Sequence, residues 1–161
     1  MASYTATITW ERAGQDFLDG QYSRAHRVAF DGGVDIEGSA SPHVVRPPMS
    51  SESGVDPEEM LVASLASCHM LTFVDMARRA GWRVDRYVDR AEGWMERIAP
   101  GRFAVTRVTL RPEVALSGDP APGDSEFAAL HHRAHEACFI SNSVKTDVTV
   151  EPTLIRETAH V

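Results

Sequence analysis

The stretch of residues 56–81 constrains this chain more than any other, because it reads as one long helix with signals at both ends. Asp56 can accept hydrogen bonds from the first turn, and Glu59 stands three residues later, which is the spacing of a capping box. Gly81 can adopt the left-handed conformation that ends a helix. We therefore predict a helix over residues 57–80, roughly 36 Å long.

The interior of this helix is apolar on nearly every side. Within residues 60–77 the exceptions are Ser64, Ser67, His69, Thr72 and Asp75. A helix with so little polar surface must be buried. A sheet of about six strands covers only one face, so we predict a second copy of the chain over the other, most simply as a two-fold homodimer.

Composition and charge narrow the class of protein. A length of 161 residues with 43% apolar residues predicts a single folded domain over residues 1–161. The net charge of −7 argues against binding to nucleic acid or to an anionic membrane surface. Residues 1–10 alternate polar and apolar and do not resemble a signal peptide. Asp75 inside the apolar helix favours a core helix over a membrane span, so we expect a cytoplasmic protein.

The remaining elements predict an α+β fold of antiparallel sheets around the long buried central helix. The predicted order is βββ-α-ββ-α-β, with Asp124 as the cap of the second helix. Asp31-Gly32-Gly33 is a hairpin signal. The predicted strands are residues 3–10, 22–30 and 34–38, then two long strands, 83–97 and 102–116, joined at Pro100-Gly101, and a last strand, 144–150.

The two cysteines are the first candidates for chemistry. Cys68 lies in the middle of the long helix, and Cys138 lies at the end of the second helix before a loop. They form either a reactive and resolving pair or two unrelated core cysteines.

A thiol in an apolar helix has a raised pKa, so a reactive Cys68 needs a nearby cation and a group that holds the cation in place. Arg24 is the candidate cation, and Glu58, at the second helical position, is the candidate anchor. Taken alone, each would be a surface charge.

A metal site is the other chemical interpretation. His131 and His135 lie four residues apart on the second helix, which suits zinc, with His132 between them and Cys68 or Cys138 as further ligands. We favour an exposed histidine face, because the sequence lacks the glutamate of a metalloprotease and a second cysteine pair.

Two segments around the cysteines resemble the OsmC/Ohr family of thiol-dependent peroxidases. These are Pro57-Glu58 through Ser67-Cys68-His69, and His135-Glu136-Ala137-Cys138 followed by Ser141-Asn142. The stretches Tyr22-Ser23-Arg24 to Gly33 and Ser41 to Val45 resemble the OsmC-like branch, so the resemblance spans about residues 4–152.

The resemblance implies an intertwined homodimer that reduces organic hydroperoxides, and hydrogen peroxide less well, in defence against oxidative stress. It implies that Cys68 is the peroxidatic cysteine, that Cys138 resolves it as a disulfide, and that Arg24 and Glu58 activate Cys68. Arg27 is the second choice for the arginine. An external thiol or dithiol restores both cysteines, and no metal or organic cofactor is needed.

Two alternatives keep the fold without peroxidase activity. One is a non-catalytic protein that binds a small ligand in an apolar cleft, and the other is a metal-binding protein that uses Cys68, His69 and the histidines at 131–135.

The spacing of Glu58 and Cys68 raises a separate question. They stand ten residues apart, roughly 15 Å along an unbroken helix. Either the helix breaks, or Glu58 and its arginine reach Cys68 from the partner chain, and we favour the second.

Overall fold

The structure is a computed structural model that describes residues 1–119 and 121–156. It divides into two compact units, Met1–Met60 and Leu61–Val161. The prediction of a single domain stays a prediction, and each unit has its own secondary structure and its own contacts.

The first unit contains a three-stranded antiparallel sheet. Its strands are β1 (Ala6–Thr9), β2 (His26–Phe30) and β3 (Asp35–Gly38), in that order. The hairpin between β2 and β3 is confirmed, with Gly33 at a φ of 85°. All three strands are shorter than predicted, because the loops on either side take up their outer residues.

The long helix α1 (Pro57–Arg79) has the predicted ends and no break. The Asp56 N–H donates to the Glu59 carboxylate at 3.0 Å, and the Glu59 N–H donates to the Asp56 carboxylate at 2.8 Å. Gly81 has a φ of 82° just beyond the helix. The alternative of a helix broken between Glu58 and Cys68 is therefore wrong.

One chain buries only part of α1. One stripe is buried, consisting of Leu65, His69, Phe73 and Ala77. The other side is largely open in the single chain, where Leu71 is 64% exposed and Val74 is 37% exposed. One chain supplies partners for only one face, as predicted, and the burial of the other face by a second copy stays a prediction.

By length and composition α1 could also cross a membrane, with a mean hydropathy of 1.5 over an 18-residue window. Its buried stripe nevertheless packs against the second unit's own helix and strands, as a core helix does.

Besides a short 3-10 helix, Ser141–Ser143, the second unit continues with six strands and one further α-helix over its described residues. In chain order they are β4 (Arg83–Asp89), β5 (Glu92–Ala99), β6 (Arg102–Leu110), β7 (Pro112–Ser117), α2 (Asp124–Ala137), β8 (Asp147–Val150) and β9 (Thr153–Ile155). The turn at Pro100-Gly101 is confirmed. The two long strands predicted around it are four shorter ones, and β9 lies beyond the last predicted strand.

These strands form two sheets within the described residues, in the orders β4-β7-β9 and β5-β6-β8. The β4–β7 and β5–β6 pairs are antiparallel, whereas β8 is parallel to β6 and β9 is parallel to β7. The prediction of purely antiparallel sheets is therefore wrong. The chain returns through α2 before it forms β8, and such a crossover brings a strand back in parallel.

The start of α2 also differs from the prediction. The helix begins at Asp124, so Asp124 is not its cap. The Glu126 carboxylate accepts the Gly123 N–H at 2.9 Å, while Asp124 pairs with Arg156 at 2.6 Å. The carboxylate that satisfies the start of the helix thus comes from its first turn and not from the residue predicted to cap it.

Two apolar clusters hold α1 in the second unit. Phe73 and Ala77 pack with residues of β7 and α2, namely Val114, Phe127, Leu130 and Ala134. Leu65 packs with residues of β6 and β8, namely Val108, Leu110 and Val148. Cys68 and His69 lie on α1 between these two clusters.

Candidate active site

The structure brings Cys68 and Cys138 together as two free thiols. Cys68 comes from the middle of α1, and Cys138 is the residue at which α2 ends, as the sequence predicted. Cys68 is partly exposed, whereas Cys138 has no exposed surface. A small molecule in solvent therefore meets Cys68 first.

The surroundings of Cys138 stabilise a thiolate. Burial would raise the pKa of the Cys138 thiol, but the neighbouring Cys68 thiol and Ser141 side chain outweigh it and lower that pKa. The backbone N–H groups of Ser141 and Ile140 act in the same direction. The turn that follows α2 thus lowers the pKa of the thiol at the helix end.

The pKa of Cys68 moves the other way. Burial raises it, and the hydrogen bond to Cys138 raises it further. The backbone N–H groups of Ile140 and Phe139 lower it in part. The two thiols are coupled, so the pair titrates as a unit in which Cys138 is the more acidic thiol.

Arg24 and Glu58 belong to the first unit. The Arg24 guanidinium donates to the Gly20 carbonyl at 2.9 Å and to the Tyr22 carbonyl, and it lies 3.8 Å from the centre of the Tyr22 ring. Glu58 lies half-buried in the first turn of α1. Arg27, the second choice, pairs with Asp35 at 2.9 Å.

A second polar pair lies beside the cysteines in the same unit. His69 on α1 and His131 on α2 are both fully buried, and His69 Nε2 lies 3.0 Å from His131 Nδ1. The His131 ring stacks on Phe73 at 3.8 Å between ring centres and meets the edge of Phe127 at 4.6 Å. The preferred prediction of an exposed histidine face is therefore wrong for His131.

Both buried rings are neutral near pH 7. Burial, and then the neighbouring His135, lowers the pKa of His69 to about 4. Burial, and then His69, lowers the pKa of His131 to about 3. One neutral ring donates to the other, because a neutral imidazole has one donor nitrogen and one acceptor nitrogen.

The other two histidines of the cluster differ from this pair. His132 is exposed and lies 3.6 Å from Glu136, and His135 is half-buried. Among the residues that the structure describes, no group of three or more His, Cys, Asp or Glu side chains is arranged to hold a metal ion. The zinc interpretation therefore has no geometric support.

Comparison with known proteins decides the family. The sequence model of the OsmC-like protein family matches residues 50–153, which include Glu58 and both cysteines. The chain belongs to the OsmC-like protein family. The resemblance stated from the sequence is thereby confirmed, and Arg24 lies before the matched residues.

Relatives in the family carry names that refer to peroxides. Peroxiredoxin OsmC of Escherichia coli (strain K12) is 26% identical over 145 residues, which cover 89% of this chain and 96% of that protein. An organic hydroperoxide resistance protein from Elizabethkingia anophelis has the same fold, with a TM-score of 0.67 at 18% identity and 98% of each chain covered.

A more similar solved structure carries no functional name. It is an OsmC-like protein of unknown function from Vibrio cholerae O1 biovar eltor str. N16961, with a TM-score of 0.91 and 48% identity. The match covers 94% of this chain and 99% of that chain.

Two parts of the site were not predicted from the sequence. One is the set of backbone N–H groups of residues 139–141, which no side-chain pattern in the sequence predicts. The other is the His69–His131 bond. Its signal was available, since His69 is four residues from both Leu65 and Phe73, and His131 follows Leu130 on the apolar face of α2.

Proposed function

We propose that this protein is a thiol-dependent peroxidase that reduces organic hydroperoxides through Cys68 and Cys138. The observation that carries the proposal is the pairing of a partly exposed thiol with a fully buried one. The names of the relatives from Escherichia coli and Elizabethkingia anophelis support the peroxide as substrate class.

Exposure supports Cys68 as the attacking residue. A peroxide must reach the sulfur that it oxidises, and Cys138 has no exposed surface. The pKa of Cys68 is raised and that of Cys138 is lowered, so the Cys68 thiol must lose its proton before the attack, and Cys138 is the neighbouring group that accepts it. The Cys68 thiolate then attacks the terminal peroxide oxygen, the O–O bond breaks, and the alkoxide leaves and takes up a proton. Cys68 becomes a sulfenic acid.

Cys138 resolves that intermediate. Its sulfur attacks the Cys68 sulfur, an S–S bond forms, and the hydroxide leaves and takes up the Cys138 proton as water. An external thiol or dithiol then reduces the disulfide by exchange. The two cysteine sulfurs supply the two electrons that reduce the peroxide, and the external thiol or dithiol returns them.

We also propose a homodimer in which Arg24 and Glu58 of one chain activate Cys68 of the other. The open apolar side of α1 supports a second copy over it, since Leu71 and Val74 are large exposed apolar residues on one helix. A stable dimer there should bury well over ~2,000 Å² in total. A folded monomer in sedimentation at micromolar concentration would contradict it.

The peroxidase proposal is tested with a panel of organic hydroperoxides and hydrogen peroxide, on the wild-type protein and on Cys68→Ser, with a dithiol as reductant. We expect the wild type alone to consume peroxide. One equivalent of peroxide should leave a Cys68–Cys138 linked peptide pair in mass spectrometry. Consumption that is equal in both proteins would overturn the proposal. A wild type that consumes none would favour the non-catalytic binding protein.

A further inference from the structure

The buried histidine bond connects the same two helices that carry the thiols. His69 follows Cys68 directly on α1, and His131 lies on α2 seven residues, about two turns, before Cys138. The bond and the thiol pair therefore lie along one helix–helix contact within the second unit.

The rest of that contact is apolar around the bond. Phe73 and Ala77 of α1 meet Phe127, Leu130 and Ala134 of α2. Apolar contacts stabilise two helices together but are not directional. A hydrogen bond between two rigid rings is directional, because donor and acceptor must align at about 3 Å. It can therefore fix how far one helix is shifted along the other.

The surroundings of the rings leave the bond little freedom. Phe73 lies parallel to the His131 ring, with 13° between the planes, and Phe127 meets it at 75°. His69 and His131 are both at the limit of burial, at 0% and 1% exposure. Water does not compete for a bond buried to this extent, and a ring that loses its partner stays unsatisfied in the core.

We propose that the His69–His131 hydrogen bond is a positioning device that sets the Cys68 sulfur against Cys138 and so determines how readily the two close into a disulfide. The biological use of that closure rests on the proposed peroxidase function, but the positioning itself does not. Neither histidine touches the reacting sulfurs in this role.

The test measures closure without any peroxide. The full chain is equilibrated with reduced and oxidised glutathione, and the fraction of Cys68–Cys138 disulfide is quantified by mass spectrometry. In this exchange the two protein thiols are oxidised, and one glutathione disulfide is reduced to two glutathione molecules. The equilibrium constant reports the effective concentration of one thiol at the other, which depends on their alignment.

His131→Phe keeps a ring between Phe73 and Phe127 but removes the hydrogen-bonding nitrogen. We expect it to lower the equilibrium constant roughly tenfold. His131→Asn loses the ring but places an amide where Nδ1 lay, and we expect it to stay within about threefold of the wild type. A change that follows the loss of the ring and not the loss of the bond would overturn the proposal.

His69 provides the same test from the other helix, in case His131→Phe does not fold. His69→Gln places an amide near the position of Nε2 and should stay within about threefold, whereas His69→Leu should lower the constant roughly tenfold. Equal constants for Gln and Leu would contradict the proposal.

Two controls separate positioning from stability. Val114→Ala removes methyl groups from the same core cluster without touching the bond, and His132→Phe changes an exposed histidine of the same helix. Both should leave the constant near the wild-type value, although Val114→Ala lowers the unfolding free energy. Suppose that Val114→Ala and His131→Phe have the same unfolding free energy and lower the equilibrium constant equally. The bond is then only structural, and the proposal is wrong.

The outcomes also distinguish this proposal from the peroxidase function. A protein that consumes no peroxide, but whose glutathione equilibrium depends on the histidine bond, overturns the proposed function and leaves the positioning role. A peroxidase whose equilibrium is the same in all histidine variants overturns the positioning role alone. A wild type that forms no Cys68–Cys138 disulfide in glutathione overturns the positioning role as well.

Discussion

Cys68 and His69 are neighbours on α1. Cys68 lies beside Cys138 at the end of α2, and His69 bonds to His131 in the middle of α2. The two pairs have opposite surroundings. Hydrogen-bond donors from the turn after α2 favour a negative charge on the thiol pair. Burial among aromatic rings opposes a positive charge on the imidazole pair. The contact between α1 and α2 thus contains a thiol pair whose surroundings favour ionisation and an imidazole pair whose surroundings favour the neutral form.

The difference comes from the backbone and not from the distance between the pairs. Cys138 lies where a helix has ended, so the N–H groups of the following turn are free to face its sulfur. His131 lies inside α2, where the backbone N–H groups belong to the helix itself. Chemistry on this interface is therefore expected at the end of α2 and structural support in its middle.

Removal of Cys138 should have the largest effect on the thiol pair. We expect Cys138→Ser to lower steady-state peroxide turnover roughly a hundredfold or more, because the Cys68 sulfenic acid has no partner to resolve it. The first equivalent of peroxide should still be consumed, and mass spectrometry should then show oxygen added at Cys68. Steady turnover at the wild-type rate would mean that Cys138 does not resolve.

A mixing experiment tests whether the thiol pair is activated from a second chain. Cys68→Ser and Glu58→Ala are each expected to be inactive alone. Refolded together, they form mixed dimers in which an intact Glu58 meets an intact Cys68, and about a quarter to a half of one dimer's activity should return. Mixed dimers that form and remain as inactive as either parent would place the site within one chain.

The buried imidazole pair should make the unfolding free energy fall as the pH is lowered. The folded pKa values, about 4 and about 3, lie below the ordinary value of 6.5, so the unfolded chain binds protons first as the pH falls. Above pH 6.5 this term is absent. Below it, each histidine should lower the unfolding free energy by about 1.4 kcal/mol per pH unit until its folded pKa is reached.

The measurement is urea unfolding at a series of pH values, compared between the wild type and the double variant His69→Leu/His131→Phe. The double variant should lose the part of the acid slope that belongs to these two groups. Identical slopes in both proteins would show that the buried rings are not the source.

The smallest expected effect concerns a single hydroxyl. Ser141→Ala removes a side-chain hydroxyl that lowers the pKa of Cys138, so that pKa should rise and the thiolate fraction should fall by a factor of about two to five. The ultraviolet absorbance of the thiolate, followed across a pH titration, measures it. Ser125→Ala, an exposed serine change in the first turn of α2, is the matched control. Equal thiolate titrations of the two variants would show that Ser141 does not lower the pKa of Cys138.

Features carried by local sequence were predictable. The capping box of Asp56 and Glu59, the stop at Gly81 and the hairpin at Gly33 depend on residues a few positions apart, and the structure has all of them. The family could also be named from the two cysteine motifs, and the match over residues 50–153 confirms it.

Features that depend on distant parts of the chain were not predictable in this way. The parallel pairing of β8 with β6 and of β9 with β7 depends on where the chain returns after α2. An alternating pattern predicts a strand but not whether it runs parallel or antiparallel to its neighbour. The histidine bond joins positions 62 residues apart. The donors at residues 139–141 are backbone groups, which every residue except proline has, so only their placement distinguishes them.

The parallel strands have a consequence for synthesis of the chain. Both sheets of the second unit take their third strand from the same short segment, residues 147–155. Until the ribosome has released that segment, each sheet is a two-stranded ribbon with an open edge, which is marginally stable in water. Cys68 leaves the ribosome seventy residues before Cys138. While those seventy residues are added, a nascent chain has Cys68 without Cys138, and oxidation of Cys68 during that interval cannot form a disulfide between the two.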